Sequence, residues 1–494
     1  MVNQSVAFKF DVDSSAGTII NKAPVKWCAV TLSEVLARGK RLEASVFDVV
    51  AKQARTTIVN GKYSCVPLAG ENGLIDNAYY PGRFKRIYSD SVHGEPFFLP
   101  SQMTDVYPKA EKFISAITKC DMKELRLKSN TLLLTRSGTI GTISYVSKTN
   151  LEKVYSDDVI RITFKKQENL GYVYTFLKSK IGNTILKTNG YGSVITHLEP
   201  EHLCEIQIPD APIEIKRRIS NLIARSYELR DESNDLIDEA TQFLIDELQL
   251  PALNEFEVEY YKKDATVGTF SVKLSNMVGR LDASYHVPIV DAIMKHLNEY
   301  AEEVTTIGDS RISKEVILPG RFKRVYVEEG YGHVLFGGKQ IHELDPSNKK
   351  YLSNSKHNKR IMDELEISEN TTLITRSGTI GKVAIVPKHW EHWVASEHII
   401  RVVPAANDIS GYLNIFLASD YGSQLITRFT YGAVVDEIDD NHVRQIPIPL
   451  LKNHEVQQRI NSLALEANQK RYEAYQLEQQ ALKIMDEEVI YAKK

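Results

Sequence analysis

Two short runs of cations are the residues best placed to touch a charged ligand. Pro81 to Arg86 reads PGRFKR and sets Arg83, Lys85 and Arg86 beside a Pro–Gly turn, with Phe84 among them. Pro319 to Arg324 reads the same, with Arg321, Lys323, Arg324 and Phe322. A turn bearing three cations suits contact with phosphate oxygens, and arginine also pairs bidentately with guanine in a major groove. The bland alternative is a solvated basic turn whose Phe is anchored in a core. A merely solvated turn, however, should drift between two otherwise diverged copies as its neighbours do.

A second motif, TRSGTIG, occurs at Thr135 to Gly141 and at Thr375 to Gly381. It is not a Walker A loop, which needs four residues between its glycines and then Lys and Ser or Thr. Here two residues separate Gly138 from Gly141 and Gly378 from Gly381. The glycines are expected to supply positive φ in a tight turn. Arg136, Ser137, Arg376 and Ser377 either face DNA or brace that turn.

No motif for catalysis survives inspection. Asp210, Glu214 and Lys216 sit too close together, at a helix start, for a nuclease site. No NPPY-type methyltransferase motif occurs; DPSN at Asp345 is not one. His389 and His392 form HxxH beside Glu391, but Trp390 and Trp393 flank them and the first copy has no counterpart. GYGSVIT at Gly190 is not a full GxGxxG. The chain is therefore expected to carry no catalytic residue, no metal and no cofactor of its own.

The elements that must position these motifs are duplicated. TRSGTIG recurs at an offset of 240 residues, PGRFKR at 238, and RLEAS at Arg41 matches RLDAS at Arg280 at 239. VYSDDVIRIT from Val154, GYVYTFLKSKIG from Gly171 and IQIP from Ile206 find partners in the same order from Val394, Gly411 and Ile446. A constant order at a nearly constant offset marks a tandem repeat. The boundaries read as an N-terminal extension at 1–30, a domain at 31–212, a helix at 213–250, a linker at 251–270, a second domain at 271–450 and a second helix at 451–494. TLLLTRSGTIGTISYV predicts strand–turn–strand and GYVYTFLKSKIGNTIL predicts a helix, so the fold class is α+β.

Each copy is followed by a long segment free of Gly and Pro. Ile215, Ile219, Leu222, Ser226, Leu229, Ser233, Leu236, Ala240 and Phe243 follow steps of four and three. Val456, Ile460, Leu463, Ala467, Lys470, Ala474, Leu477, Ala481 and Ile484 keep the same rhythm. These are heptad seams, and each needs a partner: the other helix, or its own globular domain.

Composition excludes several classes. No window approaches the 18 apolar residues of a membrane span. MVNQSVAFKFDVD lacks the form of a signal peptide. Cys28, Cys65, Cys120 and Cys204 are widely spaced, which suits free thiols in a reducing cytoplasm. Net charge is −3, yet Glu228 to Glu257 holds ten acidic residues and only Arg230 as a base. Setting that stretch aside leaves 60 of the 61 basic and 54 of the 64 acidic residues, a balance of +6. The globular parts are mildly basic.

With RLDAS, PGRFKR, TRSGTIGKVAIV, the IPIP lead-in and the heptad helices together, residues 30–494 resemble the specificity subunit of Type I restriction–modification systems. The resemblance implies two tandem target-recognition domains, each reading one half of a split double-stranded DNA sequence. It implies that the helices form an antiparallel coiled coil that holds the domains apart and docks methyltransferase (modification) subunits. Those partners would bind S-adenosylmethionine and methylate adenine, and a motor–nuclease subunit would join for restriction. Phosphate contacts would position each domain, and residues that differ between copies would read bases. Ser89 to Asn130 differs most from its counterpart, Val327 to Asn370, which directs attention to Gln102 and to Lys339 and Gln340 opposite Ser101 and Gln102. Two other readings stay open: a specificity subunit of a Type IIB-like system, and a repeat scaffold that holds proteins.

Overall fold

The computed structural model describes residues 29–493 except 38–39, 41, 43, 191–195, 257, 259–261, 264–267, 278, 347 and 433–434. Residues 1–28 of the extension, and parts of GYGSVIT and of the 251–270 linker, lie outside the described residues.

The first half contains α1 (Leu32–Ala37), α2 (Val49–Val59), α3 (Met122–Leu125), α4 (Gln167–Lys178) and α5 (Lys180–Thr188). Its strands are β1 (Cys65–Pro67), β2 (Asn77–Tyr79), β3 (Tyr88–Ser89), β4 (Gly94–Phe98) and β5 (Lys112–Ser115). They continue with β6 (Thr131–Thr135), β7 (Ile143–Tyr145), β8 (Val154–Tyr155), β9 (Val159–Thr163) and β10 (Gln207–Pro209). One sheet has the order β2-β9-β6-β7, a second β3-β5-β4-β8, and β1 pairs with β10. α6 (Ile213–Glu247) follows, then a short linker ladder of β11 (Lys262–Lys263) and β12 (Gly268–Thr269).

The second half repeats this plan. Its helices are α7 (Pro288–Tyr300), α8 (Asn354–Arg360), α9 (Asn407–Ala418), α10 (Asp420–Thr427), α11 (Asp440–Arg444) and α12 (His454–Ile484). Its strands are β13 (Glu303–Thr306), β14 (Ser313–Ile317), β15 (Tyr326–Val327), β16 (Gly332–Phe336) and β17 (Lys350–Ser353). After them come β18 (Thr372–Thr375), β19 (Val383–Ile385), β20 (Val394–Ala395), β21 (Ile399–Pro404) and β22 (Pro447–Leu450). The orders β14-β21-β18-β19, β15-β17-β16-β20 and β13-β22 match those of the first half strand for strand.

Paired interactions show why the same residues persist. β6 is buried on both faces, which explains its unbroken TLLLT run. At the TRSGTIG turn the Thr135 hydroxyl donates to the Thr139 carbonyl (2.7 Å) and accepts from the Thr142 amide (3.1 Å). Thr375 does the same with Thr379 (2.6 Å) and Lys382 (2.9 Å). Gly138 and Gly378 have φ of 76° and 79°, the left-handed region that side chains resist. In each half a buried arginine ties the two sheets together. Arg161 on β9 donates to the carbonyl of Tyr155 on β8 (3.0 Å) and to that of Leu125 (3.1 Å). Arg401 on β21 donates to Ala395 on β20 and to Leu365. Burial pushes these guanidiniums down to about 10 and about 9.

The two long helices run antiparallel. Arg218 meets Glu488 (2.9 Å), Lys470 meets Glu232 (2.7 Å) and Arg459 meets Glu239 (3.0 Å), while the Ser226 hydroxyl donates to the Ala474 carbonyl (2.7 Å). Each helix also packs on its own globular half. Gly171 on α4 permits this, because a Cβ there would lie 2.6 Å from the Ser220 Cα on α6; Gly411 is equally crowded by Asn461 on α12. So the alternatives left open for the seams are both realised, on two stripes of one helix.

The ends of the helices cross over. Ile219, Ile223 and Tyr227 near the start of α6 belong to the first core, whereas Ala240, Leu244 and Leu248 belong to the second. Conversely, Ile460, Leu463 and Ala464 of α12 lie in the second core, and Ala481, Ile484 and Met485 in the first. This corrects the seam at Phe243, which is exposed while Leu244 is buried: past Ala240 the helix turns its apolar side to the second domain.

Met485→Ala should therefore destabilise the first half, by about 2–5 kcal/mol. Hydrogen exchange should show reduced protection in α2 and α4, far away in sequence, and little change in α7. Exchange that rises only around residue 485 would contradict the crossover.

Candidate nucleic-acid interface

In the first half the cationic loop and the TRSGTIG turn, distant in sequence, converge on the acidic pair that follows β8; in the second they meet at Glu437, and Glu397 after β20 holds the loop alone. Arg86 meets Asp157 (2.6 Å) and Asp158 (3.6 Å), and Arg136 meets Asp158 (3.6 Å) and Glu199 (2.5 Å). In the second half Arg324 meets Glu397 (2.7 Å), while Arg321 (2.9 Å) and Arg376 (2.6 Å) share Glu437. Phe84 and Phe322 point inward, each against a small apolar cluster.

These contacts sort the expected site residues. Arg83 and Lys85 are exposed, and among the described residues neither side chain has an ion pair or hydrogen bond; the same holds for Lys323 and Lys339. Arg321 is exposed but leans on Glu437. Arg86 and Arg324 are half-buried and anchor the loop. Arg136 is buried under the Tyr80 ring, 4.2 Å from its centroid, and Arg376 is mostly buried. Both brace the turn, which is the structural role that the sequence left open. Ser137 forms a β-bridge with His197, and the Ser377 hydroxyl bonds the His398 imidazole at 2.8 Å.

Gln102 departs from its expectation. It is buried, its carbonyl accepts from the Leu99 amide (3.0 Å) and its amide donates to the Lys109 carbonyl (2.6 Å), so it presents no edge to a base. Gln340 repeats the first bond with Gly337 (3.2 Å) and is half-buried. Both glutamines close a turn.

The surface beside the free cations carries residues that the motifs did not include. Tyr88 and Tyr326 are exposed, with the Lys112 and Lys350 ammoniums 5.0 Å and 5.5 Å from their ring centroids. Both pairs stand 238 residues apart, the offset of PGRFKR itself, which was the available signal. Each half thus presents two arginine or lysine side chains on a loop, a tyrosine and a further lysine on one face. Such a face suits phosphate and sugar contacts. Among the described residues no cluster of His, Cys, Asp or Glu could hold a metal, and no helix is long and apolar enough to cross a membrane.

The halves also touch each other. Asp105 and Glu343, equivalent residues at the 238 offset, pair as an antiparallel bridge, and the Val106 amide donates to the His342 carbonyl (2.9 Å). Burial pushes the carboxyls of Asp105 and Glu343 both up to about 7; Asp105 adds to the rise at Glu343, and Lys382 opposes it at Asp105. Beside this contact a cleft of about 1070 Å³ opens between the halves, bordered by Tyr107, Lys109, Lys382 and Arg471.

Two measurements test this geometry. Arg136→Ala leaves Glu199 facing its pocket without that partner and should cost about 3 kcal/mol of stability in a denaturant titration. An unchanged midpoint would show that Arg136 is not a brace. The second concerns pH. The folded-state values of Asp105 and Glu343 lie above their ordinary values of 3.8 and 4.5, so their favourable share is complete below roughly pH 4 and disappears as pH rises through about 7. Asp105→Asn with Glu343→Gln should remove that part of the slope of Tm between about pH 5 and 8; an identical slope would refute it.

Residues 95–239 match the family model described as "Type I restriction modification DNA specificity domain". No curated protein matches the sequence. Among solved structures, the Type-I restriction-modification system S subunit from M. genitalium is 13% identical, with 86% of this chain and 98% of that one covered and a TM-score of 0.31. The HsdS subunit from Thermoanaerobacter tengcongensis is 12% identical, with 86% and 99% covered and a TM-score of 0.26. A chain from a structure titled for complex assembly and conformational transition of the type I R-M system is 12% identical, with 84% and 97% covered and a TM-score of 0.27.

Proposed function

We propose that this chain, whose residues 95–239 carry a Type I restriction–modification DNA specificity domain, is the specificity subunit of such a system. The observation that carries the reading is the duplicated face of exposed cations, Arg83 and Lys85 in one half and Lys323 with the Glu437-paired Arg321 in the other, held by the equivalent half-buried anchors Arg86 and Arg324. Each half is a target-recognition domain that grips backbone phosphates through this face. Tyr88, Lys112, Tyr326 and Lys350 extend the grip.

The antiparallel helices α6 and α12 form the coiled coil that sets the separation of the half-sites. At 1.5 Å per residue, residues 213–248 span roughly 54 Å, about one and a half duplex turns of about 34 Å. Because Ile223 and Tyr227 of α6 also build the first core, spacer and domain are one rigid piece. The chain supplies the address and binds no cofactor. Methyltransferase subunits would bring S-adenosylmethionine and methylate adenine, and a motor–nuclease subunit would cut.

Replacing Arg83 and Lys85 with Ala should weaken binding to cognate and random duplex alike. The slope of log K against log salt should shrink by at most about 2, near 0.9 for each phosphate that is no longer neutralised. Lys323→Ala should remove about 1. A relaxed preference at one base position with an unchanged salt slope would make these residues base readers. Mapped methyl-adenines that form no bipartite motif, with the chain's own partners present, would defeat the reading as a whole.

A further inference from the structure

The two halves differ most where the chain leaves β5 or β17. In the first half it makes a loop at residues 116–121, with Ile117 and Lys119 exposed, before α3. In the second, α8 takes that place and runs on into a π-helical turn, Ile361–Leu365. The whole of α8, NSKHNKR, contains no apolar and no acidic residue.

Its two sides do different things. His357 and Arg360 hold the cationic loop. The His357 imidazole accepts from the Val325 amide (3.1 Å) and packs edge-on against Phe322 (5.4 Å). Arg360 donates to the Gly320 carbonyl (2.5 Å) and lies 4.7 Å from the Phe322 ring centroid. Ile361 and Leu365 sink into the apolar cluster beneath. At about 100° per residue, Asn358, Ser355, Lys359 and Lys356 fall in sequence around the opposite arc. All four are exposed, whereas His357 and Arg360 are half-buried, and among the described residues the side chains of Lys356, Asn358 and Lys359 have no partner.

A helix locked from below, polar above and flush with the cationic loop is a reading head. Its diameter of about 10–12 Å fits a major groove about 12 Å wide. Asparagine pairs bidentately with adenine and lysine with guanine acceptors, while the neighbouring Arg321 and Lys323 would hold the phosphates that fix its register.

We propose that α8 is the base-reading element of the second half-site, with Asn358 and Lys359 as its specificity-determining residues. This rests on the chain being a DNA specificity subunit. The loop at residues 116–121 occupies the corresponding place in the first half-site.

The test is selection of binding sequences from randomised duplex, using the full chain co-purified with the subunits it binds in its host. Asn358→Ala and Lys359→Ala are changes on the outer arc, so their Tm should stay that of the parent. Each should erase preference at one or two base positions in one half of the selected motif and lower affinity for the parent motif by about 5- to 150-fold. The other half should be unaltered. An unchanged motif in a variant that still binds, or equal weakening for every sequence, would overturn the proposal while leaving DNA recognition standing. If the parent chain selects no sequence, the underlying reading falls and takes this one with it.

Discussion

The structure turns on one fully buried carboxylate. Glu478 on α12 accepts the Tyr174 hydroxyl of α4 (2.6 Å) and pairs with Lys178 of α4 and Arg230 of α6. Burial alone would raise its carboxyl, but Lys178 and Arg230 outweigh that and hold it at about 2. A charge taken out of water tolerates no slip of its partners. Sliding α12 by one turn along α6 would strand Glu478 against apolar neighbours, so this knot fixes the register of the helix pair. It also fixes where the first globular half sits along the pair.

Once register is set, the duplicated contacts follow. Gly171 and Gly411 bring each globular half close to its helix, the Tyr172 and Tyr412 hydroxyls donate to the Pro209 and Pro449 carbonyls, and Arg161 and Arg401 join the paired sheets. What duplication kept is the frame and the cationic loop mounted on it. What it released is the surface after β5 and β17, where one copy became a loop and the other a helix. A frame held in common with a variable surface fits the proposed two-part reading of DNA, because phosphates repeat along a duplex and bases do not.

Much of this was legible in the sequence, for physical reasons. The repeat showed in motif order, and the seams showed because apolar spacing reports helix packing directly. The second buried stripe did not show: Ile223 and Tyr227 fall between seam positions and face a domain that sequence spacing cannot locate. Arg136 looked like a ligand contact because its partner, Glu199, lies 63 residues away and carries no motif. Gln102 failed similarly, since its partners are backbone groups. The helix α8 left little trace because NSKHNKR has no apolar periodicity, and its N-cap Ser353 makes no side-chain capping bond; the buried Ile361 and Leu365 just beyond it tie it down. Tyr88 and Lys112 recur as Tyr326 and Lys350 at the PGRFKR offset of 238, and that offset is their only signal in the sequence.

The crossover of the helix ends bears on how the chain is made. A ribosome releases the sheets of the first half long before residues 481–490, yet Ala481, Ile484, Met485, Val489 and Ile490 complete their core. Until those residues emerge, the first half must wait with an open apolar face, whereas the second core draws only on the contiguous stretch from Ala240 to Ala464. Contacts this remote along the chain close slowly and leave the waiting half open to mispairing with a neighbouring nascent chain. Completion of the first core is thus a late event, and a chain interrupted in α12 before Ala481 leaves that core open.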